Sequence, residues 1–197
     1  MNKIKVIALY GKAGAGKDAL LQTTVKLAGA EINEIVSCTT RPPRQGEINH
    51  INYHFVTVEE FTQMVLNGDM LEATEFRNWW YGTPLLSLDP DRVNIGVFNP
   101  AGMVALKEDP RLDVIPVKVD ASDKVRLLRQ LNRENDPDVA EIIRRYQTDE
   151  KDFREYEMEH EDNVFYIDNN TGSLETKAEL ILSMCRALGQ NKLSELM

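Results

Sequence analysis

The chain has little cysteine and no long apolar run. Its 197 residues include two cysteines, Cys38 and Cys185, which are too few for a disulfide framework or a zinc site. No stretch approaches the roughly eighteen apolar residues that a membrane span requires, and the first residues lack the long apolar region and cleavage site of a signal peptide. The sequence therefore predicts a cytoplasmic protein with reduced thiols and without a membrane partner.

Basic residues are also in deficit. The chain has 23 Lys and Arg against 32 Asp and Glu, which gives a formal net charge of -9. General nucleic-acid binding depends on a broad face of clustered Lys and Arg, so no nucleic-acid partner is expected. A small phosphate site is compatible with this composition, because screening over about 8 Å lets local charge outweigh the total. The length suits a single domain, 1–197, and the sequence does not indicate an oligomeric state.

Strand-like and helix-like segments alternate along most of the chain. The expected strands of the main sheet are residues 4–10, 32–37, 93–98, 112–119 and 163–167. Such alternation is typical of an α/β fold with a mainly parallel sheet and right-handed crossovers. Between residues 38 and 88 the predicted strands are short and the loops frequent. This stretch is therefore predicted to be a small inserted lobe.

A glycine-rich turn joins the first predicted strand to the first predicted helix. It reads Gly11-Lys12-Ala13-Gly14-Ala15-Gly16-Lys17 and fits the pattern G-x-x-x-x-G-K in the strand–helix context that this motif needs. Its glycines let backbone amides face a phosphate chain, and the start of the helix adds partial positive charge. Lys17 would give a full charge to the β- and γ-phosphates. The turn is therefore predicted to bind ATP, with Asp18 and Ala19 following it.

Asp18 stands where this motif has a serine or threonine, whose hydroxyl binds magnesium. An aspartate can bind Mg²⁺ directly, although it also places a negative charge beside the phosphates. We expect Mg²⁺ to accompany ATP as the cofactor, with Asp18 as the hypothetical metal ligand.

A second group of anion-binding residues lies in the inserted segment. Arg41 and Arg44 flank two prolines, and a guanidinium in such a stiffened loop can bind an oxyanion with two N–H groups. The hydroxyls of Tyr53 and Tyr81 can complete the site. Each residue alone could be a solvated charge or a core aromatic, but beside a phosphate-binding turn they predict a second anion site.

The chain resembles the guanylate kinase family from about residue 6 to residue 169. The likeness is carried by Ser37-Cys38-Thr39-Thr40-Arg41-Pro42-Pro43-Arg44, Tyr53-His54-Phe55, Leu71-Glu72 and Tyr81-Gly82-Thr83, in that order. It implies a nucleoside-monophosphate kinase that transfers the γ-phosphoryl group of ATP to GMP or dGMP. It also implies a three-layer P-loop NTPase core, a nucleotide-binding lobe and a helical lid. The corresponding segments are 1–37, 89–122 and 159–197 for the core, 38–88 for the lobe and 123–158 for the lid.

The resemblance also implies roles for residues of the lobe. Those matching the acceptor-phosphate site are Arg41, Arg44, Tyr53 and Tyr81, and those facing the base are Ser37, Glu72 and Thr83. Glu72 suits guanine, because one carboxylate can accept both the N1 and the N2 protons of that base. A misplaced partner would leave a buried polar group unpaired, which gives strong discrimination.

Arginines after residue 122 resemble the arginine-rich lid of the family. The candidates are Arg126, Arg129, Arg133, Arg144 and Arg145. The resemblance implies that Arg129 binds ATP and that Arg133, with Arg144 or Arg145, is catalytic. Lys17 of the turn and Arg41 are the other predicted catalytic residues. The alternative is a solvated helix with Glu–Arg pairs. Asp168-Asn169 resembles the segment beside the adenine, and the acidic residues of 149–162 are expected to lie away from the phosphates.

Two departures from the family keep other functions open. Asn99 ends the stretch Val97-Phe98-Asn99 where the family has Asp-x-Asp, and the segment between Thr83 and Asn99 is short. Asn99 is therefore expected to bind the acceptor with a shifted base preference. One alternative is a kinase for another or a modified (deoxy)nucleoside monophosphate. The other is a guanylate-kinase-like interaction module without catalysis, which binds an acidic or phosphorylated partner at the arginine loop.

Overall fold

A computed structural model describes residues 3–43, 46–76, 78–133, 135–160 and 164–192. The strands are β1 (Ile4–Tyr10), β2 (Ile32–Glu34), β3 (Cys38–Thr39), β4 (His54–Phe55), β5 (Met70–Phe76), β6 (Trp79–Pro84), β7 (Val93–Val97), β8 (Leu112–Asp120) and β9 (Phe165–Asp168). The helices are α1 (Lys17–Ala28), α2 (Val58–Leu66), α3 (Pro100–Glu108), α4 (Asp123–Leu131), α5 (Val139–His160) and α6 (Leu174–Gly189). Arg44 lies outside the described residues.

The larger sheet is parallel and has β1 at its centre. Its strand order is β2-β7-β1-β8-β9, and β1 pairs with β7 on one side and with β8 on the other. The chain therefore leaves β1 toward β2 on one side, whereas it leaves the neighbouring β7 toward β8 on the other side. In open α/β sheets, ligands bind at such a switch point.

Helices cover both faces of this sheet, so β1 is almost continuously apolar rather than alternating. On one face, Ile7 and Leu9 belong to the same buried cluster as Leu20 of α1 and Ile181 of α6. On the other face lies a second cluster, made by Val6, Ala8 and Tyr10 of β1 with Met103 and Leu106 of α3 and with Phe153 and Tyr156 of α5. The predicted three-layer α/β architecture is confirmed.

The segment after β2 forms a separate sheet of order β4-β3-β6-β5, with α2 packed on it through buried Phe61. The expectation of one strand over residues 32–37 is wrong. Ile35 still donates a backbone hydrogen bond to Ile95, but the Ser37 carbonyl accepts one from His54 of the second sheet. The chain leaves the first sheet here because its backbone partners change.

Capping residues fix the helix starts near the site. The Asn99 side chain accepts a hydrogen bond of 2.7 Å from the Gly102 amide, with Pro100 at the first helical position of α3, as predicted. Ser173 caps α6. Among the described residues, the longest helices carry too many charges and too few apolar side chains to cross a bilayer.

Candidate active site

The glycine-rich turn lies at the carboxyl end of β1 and ends where α1 begins, at Lys17. Gly14 and Gly16 have φ angles of 80° and 96°, which favour glycine. A Cβ atom on Gly14 would lie 2.5 Å from the Arg126 carbonyl oxygen, and one on Gly16 would lie 2.4 Å from Nδ2 of Asn169. Both glycines are therefore required by conformation and by close packing. The amino end of a helix following such a turn favours an anion.

Two side chains support this turn from behind. Arg129 donates from Nη1 to the Gly14 and Ala15 carbonyls at 3.3 and 3.2 Å, and from Nη2 to the Asn169 carbonyl at 2.7 Å. Nδ2 of the buried Asn169 donates to the Ala15 carbonyl at 2.7 Å. Both residues were singled out in the sequence as neighbours of ATP, and the structure places them on the backbone of the turn.

The Lys17 ammonium group lies in a charged surrounding. Nζ of Lys17 donates to the Lys12 carbonyl at 3.3 Å, and burial is the main cause that lowers the pKa of Lys17. The side-chain charges that act on it belong to Asp18, Asp149, Arg126 and Arg145. Lys17 thus places its positive charge at the end of the glycine-rich turn, where α1 begins.

The acidic part of α5 contacts the turn, which corrects the expectation that residues 149–162 lie away from the phosphate sites. The Ala13 amide donates to Oδ2 of Asp149 at 2.5 Å, and the Lys12 ammonium pairs with Oε1 of Glu150 at 2.7 Å. Both contacts join positions far apart in the sequence, so no local motif reveals them. The one local signal is helical spacing, since Glu150 lies between the inward-facing Tyr146 and Phe153.

Arg126, one of the predicted phosphate-binding arginines, is buried between α4 and α5. Its side chain is 1% exposed, and Nη2 bonds to Asp123 at 2.7 Å and to Glu150 at 2.8 Å. Its guanidinium lies over the Tyr146 ring, 5.1 Å from the centroid. These contacts join α4 to α5 beneath the turn.

The other candidate arginines after residue 122 are more accessible. Arg133 is exposed. Arg144 and Arg145 both pair with Glu141 of α5, at 2.7 and 3.1 Å, and their side chains are 44% and 42% exposed. The charge of Arg145 contributes to lowering the pKa of Lys17. The structure thus shows the Glu–Arg pairs on α5 that the sequence offered as the alternative.

Arg41 follows β3 and lies in a cluster of charged and aromatic side chains beside the second sheet. It is 9% exposed and makes a bidentate pair with Glu47, with Nη1 at 3.0 Å and Nη2 at 2.9 Å from the carboxylate oxygens. The guanidinium also lies over Tyr53, 5.6 Å from its centroid, and Tyr53 packs edge-on against Tyr81 at 6.2 Å. Glu47 raises the pKa of Arg41. The structure brings the predicted Arg41, Tyr53 and Tyr81 together and adds Glu47, which no motif in the sequence indicates.

The two predicted base-facing residues of β5 and β6 are direct neighbours. Glu72 pairs in register with Thr83, and the buried Thr83 hydroxyl donates to Oε1 of Glu72 at 2.9 Å. Burial is the main cause that raises the pKa of Glu72. Ser37 precedes β3 and is half-buried. This arrangement presents a fixed, partly desolvated carboxylate.

Asp18 directly follows Lys17 in the sequence. It is exposed at the start of α1, and its charge acts on Lys17 of the turn and on Tyr53 of the second sheet. Burial is the main cause that raises the pKa of Tyr53, and the Asp18 carboxylate adds to that shift. Asn99 lies at the start of α3, with its side-chain oxygen engaged as a helix cap.

A family model for guanylate kinase matches residues 3–179. The chain belongs to the guanylate kinase family. Guanylate kinases of Nostoc sp. and Schizosaccharomyces pombe are 41% and 40% identical to it over 80 and 86 residues, and these matches cover 41% and 44% of this chain. The matched parts span 40% and 43% of those two relatives, or about two fifths of their length.

Longer matches extend the likeness over nearly the whole chain. A guanylate kinase of Campylobacter jejuni is 28% identical over 191 residues, which cover 94% of this chain and 92% of that protein. The crystal structure of guanylate kinase from Anaplasma phagocytophilum superimposes with a TM-score of 0.61 at 24% identity, covering 95% of this chain and 88% of the other. This superposition supports the fold.

Proposed function

We propose that this member of the guanylate kinase family transfers the γ-phosphoryl group of ATP to GMP or dGMP, giving ADP and the corresponding diphosphate. The observation that carries the proposal is the presence of two groups: the glycine-rich turn with Lys17 at the carboxyl end of β1, and Arg41 packed on Tyr53, which in turn packs on Tyr81. The space between the two groups would hold both nucleotides. A donor bound at the turn and an acceptor bound at the arginine–tyrosine cluster would meet across this space. Phosphoryl transfer of this kind works by positioning and by neutralising charge.

On the donor side, residues 11–19 would hold the phosphates of ATP. The backbone amides of the turn and the start of α1 would accept them, and Lys17 would stabilise the charge of the transferring group. Arg129 and Asn169 would keep the turn in shape, since both bond to its carbonyls. Arg133 and either Arg144 or Arg145 would add charge from the lid segment 123–158.

On the acceptor side, the lobe of residues 38–88 would bind the monophosphate. Arg41, Tyr53 and Tyr81 would bind its phosphate, and Arg44 would join them on the strength of the family resemblance. Glu72 would accept the N1 and N2 protons of guanine, and the hydrogen bond from Thr83 orients it for this. Ser37 would line the base site. Asn99 would lie at the edge of that site, at a position where the family has an aspartate. Its amide would therefore change the base preference.

Magnesium would be bound together with ATP. Among the described residues, no three His, Cys, Asp or Glu side chains form a metal-binding group. This fits Mg²⁺, which takes one or two carboxylates and completes its shell with substrate phosphates and water. Asp18 is an exposed carboxylate at the phosphate turn and would hold the ion with the donor phosphates. Bound there, the ion neutralises charge on the phosphate oxygens.

The fixed carboxylate of Glu72 favours a guanine acceptor over the alternatives. A kinase for a modified monophosphate is favoured only by Asn99 and by the short segment before it. A binding module without catalysis would not need Lys17 beside the phosphate turn, although Asp18 and the missing aspartates would suit it.

A coupled assay of ADP release separates these functions. The purified protein would be mixed with ATP and Mg²⁺ and with GMP, dGMP, AMP, CMP, UMP or IMP in turn. We expect the highest kcat/KM with GMP or dGMP. A preference for another monophosphate would contradict guanine specificity. Mg²⁺-dependent ATP binding without turnover on any acceptor would support the binding module.

A further inference from the structure

Two neighbouring carboxylates on α5 reach the phosphate turn. Asp149 accepts the hydrogen bond of the Ala13 amide at 2.5 Å, and Glu150 pairs with the Lys12 ammonium at 2.7 Å. We call Asp149 and Glu150 the acidic pair. Its two members contact consecutive residues of the turn, but their surroundings differ.

Asp149 occupies a position suited to a phosphate oxygen. It accepts from a backbone amide of the turn, which is the type of donor that such turns offer to phosphates. Its charge also acts on the Lys17 ammonium, the group that would hold the donor. Asp149 is therefore an internal anion at the donor-phosphate site.

Glu150 is held from a second side. Its Oε1 atom bonds to Nη2 of Arg126 at 2.8 Å as well as to Lys12, and Arg126 is almost fully buried against the Tyr146 ring. Removing Asp149 from the turn would leave this connection in place. Glu150 thus holds α5 to both Lys12 and Arg126. Displacing Asp149 breaks its hydrogen bond to the Ala13 amide.

We propose that Asp149 competes with the donor phosphates for the phosphate turn, and that Glu150 keeps α5 close while Asp149 is displaced. The proposal rests on donor binding at this turn, as given under Proposed function. Apparent donor affinity is proportional to the fraction of molecules in which the internal competitor does not occupy the site. Asp149 would therefore set the threshold at which the protein takes up a triphosphate.

Binding measurements on Asp149 variants test this competition. Titration calorimetry would compare the wild-type protein with Asp149→Ala and Asp149→Asn, using Mg²⁺-ATP without acceptor, inorganic tripolyphosphate, and adenosine. We expect Asp149→Ala to bind ATP and tripolyphosphate about 5-fold or more tightly than the wild type, at the low end of usual coupling between sites. Asparagine can still accept a hydrogen bond, so Asp149→Asn should gain less. Adenosine binding should not change, since it carries no phosphate.

A matched control removes the same charge elsewhere on the helix. Glu155 is exposed on α5, and Glu155→Gln should leave both triphosphate affinities within about twofold of the wild type, because exposed charges are screened over about 8 Å. An equal gain in Glu155→Gln would overturn the proposal in favour of bulk charge. Unchanged or weaker ATP and tripolyphosphate binding by well-folded Asp149→Ala would also overturn it. Turnover of GMP by the same samples tests the proposed function separately.

Discussion

The Thr83 hydroxyl donates a hydrogen bond of 2.9 Å to the Glu72 carboxylate across the β5–β6 ladder. Thr83 is fully buried and Glu72 is half-buried, so one carboxylate oxygen is fixed while the group is partly removed from water. Removing an ionised carboxylate from water is unfavourable. Carboxylates with such perturbed environments cluster at functional sites. Under the proposed function, this hydrogen bond would orient the Glu72 carboxylate toward the guanine base.

Replacing Glu72 with glutamine should weaken guanine recognition. The glutamine can keep the Thr83 hydrogen bond, but it cannot accept both guanine protons as a charged carboxylate does. Hydrogen bonds to charged groups contribute about 1.5–3 kcal/mol, so kcat/KM for GMP should fall about 10- to 100-fold. IMP lacks the N2 donor and should lose less. Glu75→Gln, at an exposed position of the same strand, is the control and should leave both values near wild type.

Acceptor use should also depend on the protonation of Glu72. Burial raises the pKa of Glu72 above its usual value of 4.5, so the carboxyl takes up a proton at a higher pH than a solvated glutamate. The value of kcat/KM for GMP should therefore fall as the pH is lowered through this raised pKa, and Glu72→Gln should lose that limb of the profile. A wild-type profile that declines only at the pKa of an exposed glutamate would contradict this.

The same shift has a consequence for stability. A carboxyl whose pKa is raised by folding contributes stability below its unfolded pKa and loses that contribution as the pH rises through the folded pKa. Glu72 is therefore unfavourable for folding at neutral pH. In thermal unfolding at pH 7, Glu72→Gln should raise Tm while lowering activity toward GMP, which is the opposite of the result for a residue that only supports the fold.

Lys17 should be essential for turnover. Its ammonium group is the full positive charge at the end of the phosphate turn, and removal of a donor that stabilises a transition state commonly lowers kcat by about 10²-fold or more. Lys17→Ala is expected to show such a loss in the ADP-release assay. Lys26→Ala, an exposed change in the last turn of the same helix, should keep wild-type kcat. Near wild-type turnover by Lys17→Ala would disprove the assigned role.

The parts of the fold with strong local patterns could be predicted from the sequence. The apolar run of β1, the glycines before Lys17 and the Asn99-Pro100 cap are local signals, and all three elements are present where predicted. The break between β2 and β3 could not be predicted, because it depends on which sheet offers backbone partners to residues 35–37.

For the candidate site, residue type was a better guide than position. Arg41, Tyr53 and Tyr81 meet as expected, because Arg41 follows β3, Tyr53 precedes β4 and Tyr81 lies on β6 of the same sheet. Arg126 belongs to the arginine-rich segment but is buried by ion pairs with Asp123 and Glu150, the latter from another helix. Charge pairs between residues far apart in the sequence cannot be predicted from a short stretch of sequence. The contact of Asp149 with the Ala13 amide could not be predicted for the same reason.

The support behind the phosphate turn yields the last prediction. Asn169 is buried and donates to the Ala15 carbonyl at 2.7 Å, while its own oxygen accepts from Lys177 at 2.9 Å. Asn169→Ala removes both bonds, and loss of a buried polar partner costs about 1–3 kcal/mol in unfolding free energy. Urea denaturation should show this loss, and KM for ATP should rise more than KM for GMP. Asn132→Ala, at an exposed position after α4, should change neither, and wild-type stability of Asn169→Ala would refute this role.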